Sequence, residues 1–143
     1  MVTMVSKDFE VINHTADVGV VAYGANLSQA FANAARALFS LITEPESVKE
    51  TLSWDIELRA PDEESLLVEW LNELIYLFDT EHILFGRFEI SELGGGRLRA
   101  RGYGEKVSSR HQLKTGIKAA TYHMLSVSQD EDNVYRVKVI FDI

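Results

Sequence analysis

The stretch from Glu63 to Asp79 constrains the fold more than any other part of this sequence. Leu66, Leu67, Trp70, Leu71, Leu74, Ile75, Leu77 and Phe78 recur at helical spacing and sweep out an arc wider than the stripe of a surface helix. A helix so apolar must be covered on several sides, and it is expected to be the most buried element. Asp62 stands where an N-cap belongs, and Glu63 and Glu64 favour the positive end of the helix dipole.

The remaining elements have to enclose that helix. A second helix is read from about Leu27 to Ile42. Asn26 can cap it, and Gln29 stands three residues on, as a capping box requires. Leu27, Phe31, Ala34, Ala35, Leu38, Phe39 and Ile42 form its stripe, with Asn33, Arg36 and Ser40 opposite, and Glu44-Pro45 ends it. Leu113, Ile117, Ala120 and Met124 predict a third helix over about Gln112 to Val127. Strands are read at Phe9 to Asn13, Asp17 to Tyr23, Leu52 to Arg59, Phe85 to Glu92, Leu98 to Gly104 and Tyr135 to Ile143. Leu52, Trp54, Ile56 and Leu58 alternate with Ser53, Asp55, Glu57 and Arg59, which is the pattern of a strand with one wet face. No repeat, linker or low-complexity stretch divides the 143 residues, and the two prolines flank helices. The expectation is an α+β fold: a single domain over residues 1–143, with a mostly antiparallel sheet packed with about three helices.

Composition narrows the function classes. Twenty-two acids oppose 14 bases, for a formal net charge of -8. A domain that grips nucleic acid by itself usually carries a basic stripe, so direct binding to RNA is expected to be weak or absent. An acidic surface suits a basic protein partner or hard cations, and equally plain solubility. There is no cysteine, which excludes disulfides and thiolate zinc sites and fits a cytoplasmic protein. No apolar run is long enough to span a membrane, and Met1 to Glu10 lacks the pattern of a signal peptide.

Several motifs invite chemistry. Gly94-Gly95-Gly96 is followed by a strand, whereas a phosphate cradle opens into a helix, so a hairpin turn is expected. Asp130-Glu131-Asp132-Asn133 lacks the spaced ligands and central glycine of a calcium loop and reads as a solvated turn. His111 and His123 read as structural histidines. No G-x-S-x-G stands in the sequence, and no nucleophile is evidently held by a base. Lys118 is either a solvated lysine or a contact to a phosphate or a partner carboxylate. Asp17 is either a turn residue bonded to its own backbone or a ligand. Asp142 is the penultimate residue of an otherwise apolar strand, and Ile143 ends the chain with a free carboxylate. These carboxylates would form a hard-cation site if they converge, which spacing alone does not show.

The order and combination of motifs resemble those of the archease family over nearly the whole chain. The matching pieces are His14-Thr15-Ala16-Asp17-Val18-Gly19, Ala30-Phe31-Ala32-Asn33-Ala34-Ala35, Leu66-Leu67-Val68-Glu69-Trp70-Leu71-Asn72-Glu73-Leu74, Lys118-Ala119-Ala120-Thr121-Tyr122-His123 and Phe141-Asp142-Ile143. Before Lys118 the family often carries an acidic residue and valine, where Gly116-Ile117 stand here. The resemblance implies a cytoplasmic protein that is not itself an enzyme. It implies an accessory factor of the GTP- and manganese-dependent RNA ligase of transfer-RNA splicing, promoting guanylylation and turnover. It also implies a divalent cation, calcium or else manganese or magnesium, held by Asp17, Asp142 and the Ile143 carboxylate, with Lys118 and His14 facing the ligase. A second expectation from the same likeness is a chaperone-like modulator of enzymes such as transfer-RNA methyltransferases. Oligomeric state stays open.

Overall fold

The computed structural model describes residues 7–13 and 16–143. Strands β1 (Phe9–Asn13) and β2 (Asp17–Gly24) lead into helix α1 (Leu27–Ile42), and a short 3-10 turn (Pro45–Ser47) leads to β3 (Leu52–Arg59). Helix α2 (Glu63–Glu81) is followed by β4 (Ile83–Gly94), β5 (Arg97–Lys106), β6 (Ala119–Gln129) and β7 (Tyr135–Asp142). The strands form two sheets with antiparallel pairing throughout, β1-β2-β7-β6 and β3-β5-β4.

The caps form where the sequence placed them. Asn26 accepts from the Gln29 amide at 2.8 Å, and the Gln29 side chain reaches back to the Ala25 amide at 2.6 Å. Asp62 accepts from the Ser65 amide at 2.8 Å. Gly95 and Gly96 sit at φ 60 and 78, as the two central residues of a tight β4–β5 hairpin require. Asp130 takes the amides of Asp132 and Val134 onto its side chain and makes a solvated turn.

α1 contacts both β2 and β4 and so ties the two sheets together, while α2 packs mainly on β6. The expectation that α2 is the most buried element is corrected: α1 buries nine of its 16 residues and α2 eight of its 19. The reason is position, since α1 lies between elements of both sheets. Asn33, read as an outward residue, is also buried and donates to the Tyr23 carbonyl at 2.7 Å. The Trp70 indole N–H donates to the Phe31 carbonyl at 3.0 Å inside the core and locks the helices together.

The larger correction concerns the third helix. Residues 112–118 are irregular, and β6 occupies most of the expected helix, leaving two helices in place of about three. The helical spacing was misleading: Ile117 and Ala120 are buried, but Leu113 and Met124 are exposed. Two unmet backbone demands prevail over it. The amides of Lys114 and Thr115 satisfy the open carbonyls of Ile42 and Leu41 at the end of α1, at 2.8 and 3.1 Å. From Ala119 onward the chain pairs with β7, whose edge would otherwise be bare. Thr121, Tyr122 and Val127 suit a strand, and Gly116 weakens a helix.

Candidate metal centre

The sheet register brings the two ends of the chain together. Asp17, first residue of β2, is the Cα partner of Asp142, last residue of β7. Asp142 is also the partner of Ala119, first residue of β6. Residues directly opposite in antiparallel strands project to the same face with Cβ atoms about 4.5–5.5 Å apart. Val18, Val20 and Ala22 turn into the core, so Asp17 and Asp142 share the opposite face. Ile143 follows Asp142 at the same end and is exposed. Lys118 also lies there: its amide donates to the Asp142 carbonyl at 2.8 Å, and its side chain is exposed. Of the residues singled out from sequence, Asp17, Asp142, Ile143 and Lys118 are therefore gathered at one end of one sheet. His14 lies outside the described residues. Lys118 lies in irregular chain just before β6, where the third helix was expected.

Electrostatically the pair is anomalous. Like charges directly opposite in a sheet are destabilising. Among the described residues no basic side chain forms an ion pair with either aspartate, and Asp17 Oδ1 is buried without a hydrogen-bond partner. A desolvated carboxylate oxygen with no donor is costly unless an ion or a proton answers it. An all-oxygen set of two aspartates and a main-chain carboxylate suits a hard divalent cation. Among the described residues no third His, Asp or Glu side chain joins this pair.

Two features were not read from the sequence. Asn72, on the inner flank of α2, accepts from the Ala120 amide at 2.8 Å and donates to the Ala120 carbonyl at 3.3 Å. It thus closes the outer edge of β6 as a neighbouring strand would and fixes the start of that strand beside Asp142. A polar residue in an otherwise apolar arc was the available signal.

The second is a knot around Glu105. This buried carboxylate accepts from the Lys49 amide at 2.7 Å, from Arg110 and from His111 Nε2 at 2.9 Å. The Arg110 guanidinium above all, then the Lys49 amide, holds its carboxyl down to about 2. Ser108 Oγ lies 3.4 Å from His111 Nδ1, so serine, histidine and acid are adjacent as in a hydrolase triad. The chemistry does not follow, because the Ser108 amide donates to Nδ1 at 3.0 Å and occupies the lone pair a general base would use. His111 is structural, as its sequence context indicated, whereas His123 is exposed on β6 and takes no part in the core.

Among the described residues two antiparallel sheets and two α-helices define a small α+β domain whose candidate site is the carboxylate-bearing end of one sheet. The description "Archease protein family (MTH1598/TM1083)" matches residues 9–143, and the chain belongs to this family. It is 37% identical over 137 residues to the protein archease of Sulfolobus acidocaldarius, covering 94% of this chain and 98% of that one. The solution structure of Methanobacterium thermoautotrophicum protein 1598 superposes with a TM-score of 0.83 at 35% identity, covering 95% of this chain and 99% of the other. The crystal structure of an archease, possible chaperone, from Thermotoga maritima shares the fold with a TM-score of 0.63 at 23% identity over the full length of both chains. No helix among the described residues is long and apolar enough to cross a membrane.

Proposed function

We propose that this chain is a metal-binding accessory factor of the GTP- and manganese-dependent RNA ligase of transfer-RNA splicing, promoting its guanylylation and turnover. One observation carries the reading beyond family membership: Asp17 and Asp142 face each other across β2 and β7, with a buried Asp17 oxygen left unanswered. Asp17, Asp142 and the Ile143 carboxylate would hold the cation, calcium first, with manganese or magnesium as alternatives. Carboxylates by themselves repel a triphosphate, and a bound divalent charge reverses the local field. Lys118 stands at the same end as a contact for phosphate or for a ligase carboxylate, and His14 is the second residue assigned to ligase activation. The chain then acts as a partner with no chemistry of its own, in the cytoplasm.

The test follows ligase guanylylation with GTP in the presence of Asp17→Ala or Asp142→Ala. Activation should fall sharply in both, and unchanged activation in both overturns the proposal. Residues appended after Ile143 convert its carboxylate into a peptide and should weaken calcium binding, whereas an N-terminal extension should not.

A second reading draws on the Thermotoga maritima relative, described as a possible chaperone. On that reading the chain modulates several RNA-modifying enzymes, transfer-RNA methyltransferases among them. Quantitative co-purification separates the two: the ligase alone supports the first reading, and several RNA enzymes in comparable amounts support the second.

A further inference from the structure

The pairing of β6 with β7 lapses in the middle. Thr121 is opposite Ile140 and Ser126 is opposite Lys138, so four residues, Tyr122 to Leu125, stand against the single residue Val139. This is much larger than a one-residue bulge, and such interruptions re-aim side chains near functional sites. Here they aim outward. Tyr122 is 61% exposed and Met124 57%, and His123 between them is exposed as well. Met124 adopts φ 54, a left-handed conformation unfavourable for any residue with a Cβ. Leu125 is half-buried against the core and anchors the far side of the bulge. On the near side, Asn72 clamps Ala120 on both its amide and its carbonyl. The bulge is therefore a strained loop held firmly at both ends, presenting an aromatic and a thioether side chain to solvent.

Burying Tyr122 and Met124, or relaxing the backbone, would favour the isolated chain. Local strain of this kind is commonly part of a binding surface, and aromatic residues and methionine are the apolar types enriched in interface cores. Ala119 is paired with Asp142, and the bulge opens after Thr121, two residues along the strand and about 7 Å away at the usual rise per residue. A partner that engages the carboxylates lies within reach of the bulge.

The neighbouring charge decides what kind of partner fits. The end of the sheet offers two facing aspartates, Asp17 and Asp142, against one lysine, Lys118, on a chain of net charge -8. RNA is repelled by a chain of that net charge. A second copy joined symmetrically through this patch would set one acidic end beside another. A protein that presents a cation-bearing recess next to an apolar pocket answers both features. We infer that the β6 bulge is the docking anchor for such a protein partner, with Tyr122 and Met124 filling the apolar pocket while the carboxylate end meets the cationic recess. This rests on the partner reading given above, and it assigns affinity to the bulge and chemistry to the carboxylates.

The experiment measures binding of the full-length labelled chain to purified ligase by fluorescence anisotropy. It compares wild type, the double variant Tyr122→Ser with Met124→Ser, the single variant Met124→Gly, and Asp142→Asn. Calcium titration and a melting curve accompany each. The double variant should bind ligase at least about tenfold more weakly, as loss of interface anchors does, with calcium affinity unchanged. Met124→Gly should also weaken binding while melting no lower than wild type, since glycine relieves the left-handed strain. Full binding by the double variant, with loss in Asp142→Asn, overturns the docking assignment and leaves the carboxylate reading standing. Wild type that fails to bind the ligase overturns both. Bulge-dependent binding to a labelled single-stranded RNA, or bulge-dependent dimers in sedimentation, overturns the choice of a protein partner.

Discussion

The two sheets handle acidic residues in opposite ways. On the wet face of β3-β5-β4, Asp55 is directly opposite Arg101 and Glu57 directly opposite Arg99, with ion pairs of 2.7 and 3.2 Å. Arg87 adds contacts to Glu50 and Glu89 and lies 3.9 Å over the Tyr103 ring. Each of those acids has a cation across the strand or beside it. In β1-β2-β7-β6, Asp17 is directly opposite Asp142, and one of its oxygens is buried without a donor. A chain that pairs its exposed charges so consistently in one sheet has the means to pair them in the other. That exception is what the proposed cation would answer.

The Glu105 knot fixes the upper end of the scale, because it is a buried acid already provided with every donor it needs. Glu105→Ala leaves Arg110 and His111 without their partner and opens the junction between Lys49 and the segment after β5. It should cost about 3–5 kcal/mol in urea denaturation, the usual range for breaking a buried pair from one side. Calcium should not restore it. The sign with pH follows from a carboxyl held down to about 2 in the folded state. A depressed carboxyl contributes stability that is present above its ordinary pKa and lost as pH falls toward the folded value. Acid unfolding of wild type should therefore include a loss between about pH 4.5 and pH 2 that is missing from Glu105→Gln. A loss of equal size in that variant would show that the knot does not govern acid stability.

The next largest effect bears on the unpaired end itself. Calcium at about a hundred times its dissociation constant should stabilise wild type by about 2.7 kcal/mol, and it should leave Asp17→Asn and Asp142→Asn unmoved. A full calcium shift in both variants would mean that the ion binds elsewhere. Asn72→Ala comes third. It strips the Ala120 amide and carbonyl of their side-chain partner and should cost about 1–2 kcal/mol. If the clamp also sets the position of β6 beside Asp142, calcium affinity should fall in parallel. Lost stability with unchanged calcium affinity would reduce Asn72 to an edge-strand cap.

How much of this was legible in the sequence differs by element. The alternation of Leu52 to Arg59, the caps at Asn26 and Asp62, and the glycine hairpin came through because each depends on neighbours a few residues away. The segment from Gln112 to Val127 was misread because its state is set by distant partners: the open carbonyls of Leu41 and Ile42, and the free edge of β7. The residues of the candidate site were nameable from the family likeness, yet their opposition was not, since the pairing of residue 17 with residue 142 is a property of register. The β6 bulge left no trace at all, because Met124 looks like a core residue of a helix until the strand is seen to break around it.

The smallest effect is the sharpest test of the contrast between the sheets, because it turns on sign. Asp142→Asn removes one of two facing like charges. Without divalent cations, in chelator, it should stabilise the chain by between a few tenths of a kcal/mol and about 1 kcal/mol. Asp55→Asn, which removes one side of an exposed ion pair with Arg101, should shift stability slightly in the opposite direction. Adding calcium should then reverse the order at the first site, with wild type overtaking Asp142→Asn, and leave the second unchanged. High salt should shrink both differences in chelator, since each is a screened surface interaction. A destabilising Asp142→Asn in chelator would mean that the carboxylate is already answered within the chain, and the case for an external cation at this end of the sheet would fall with it.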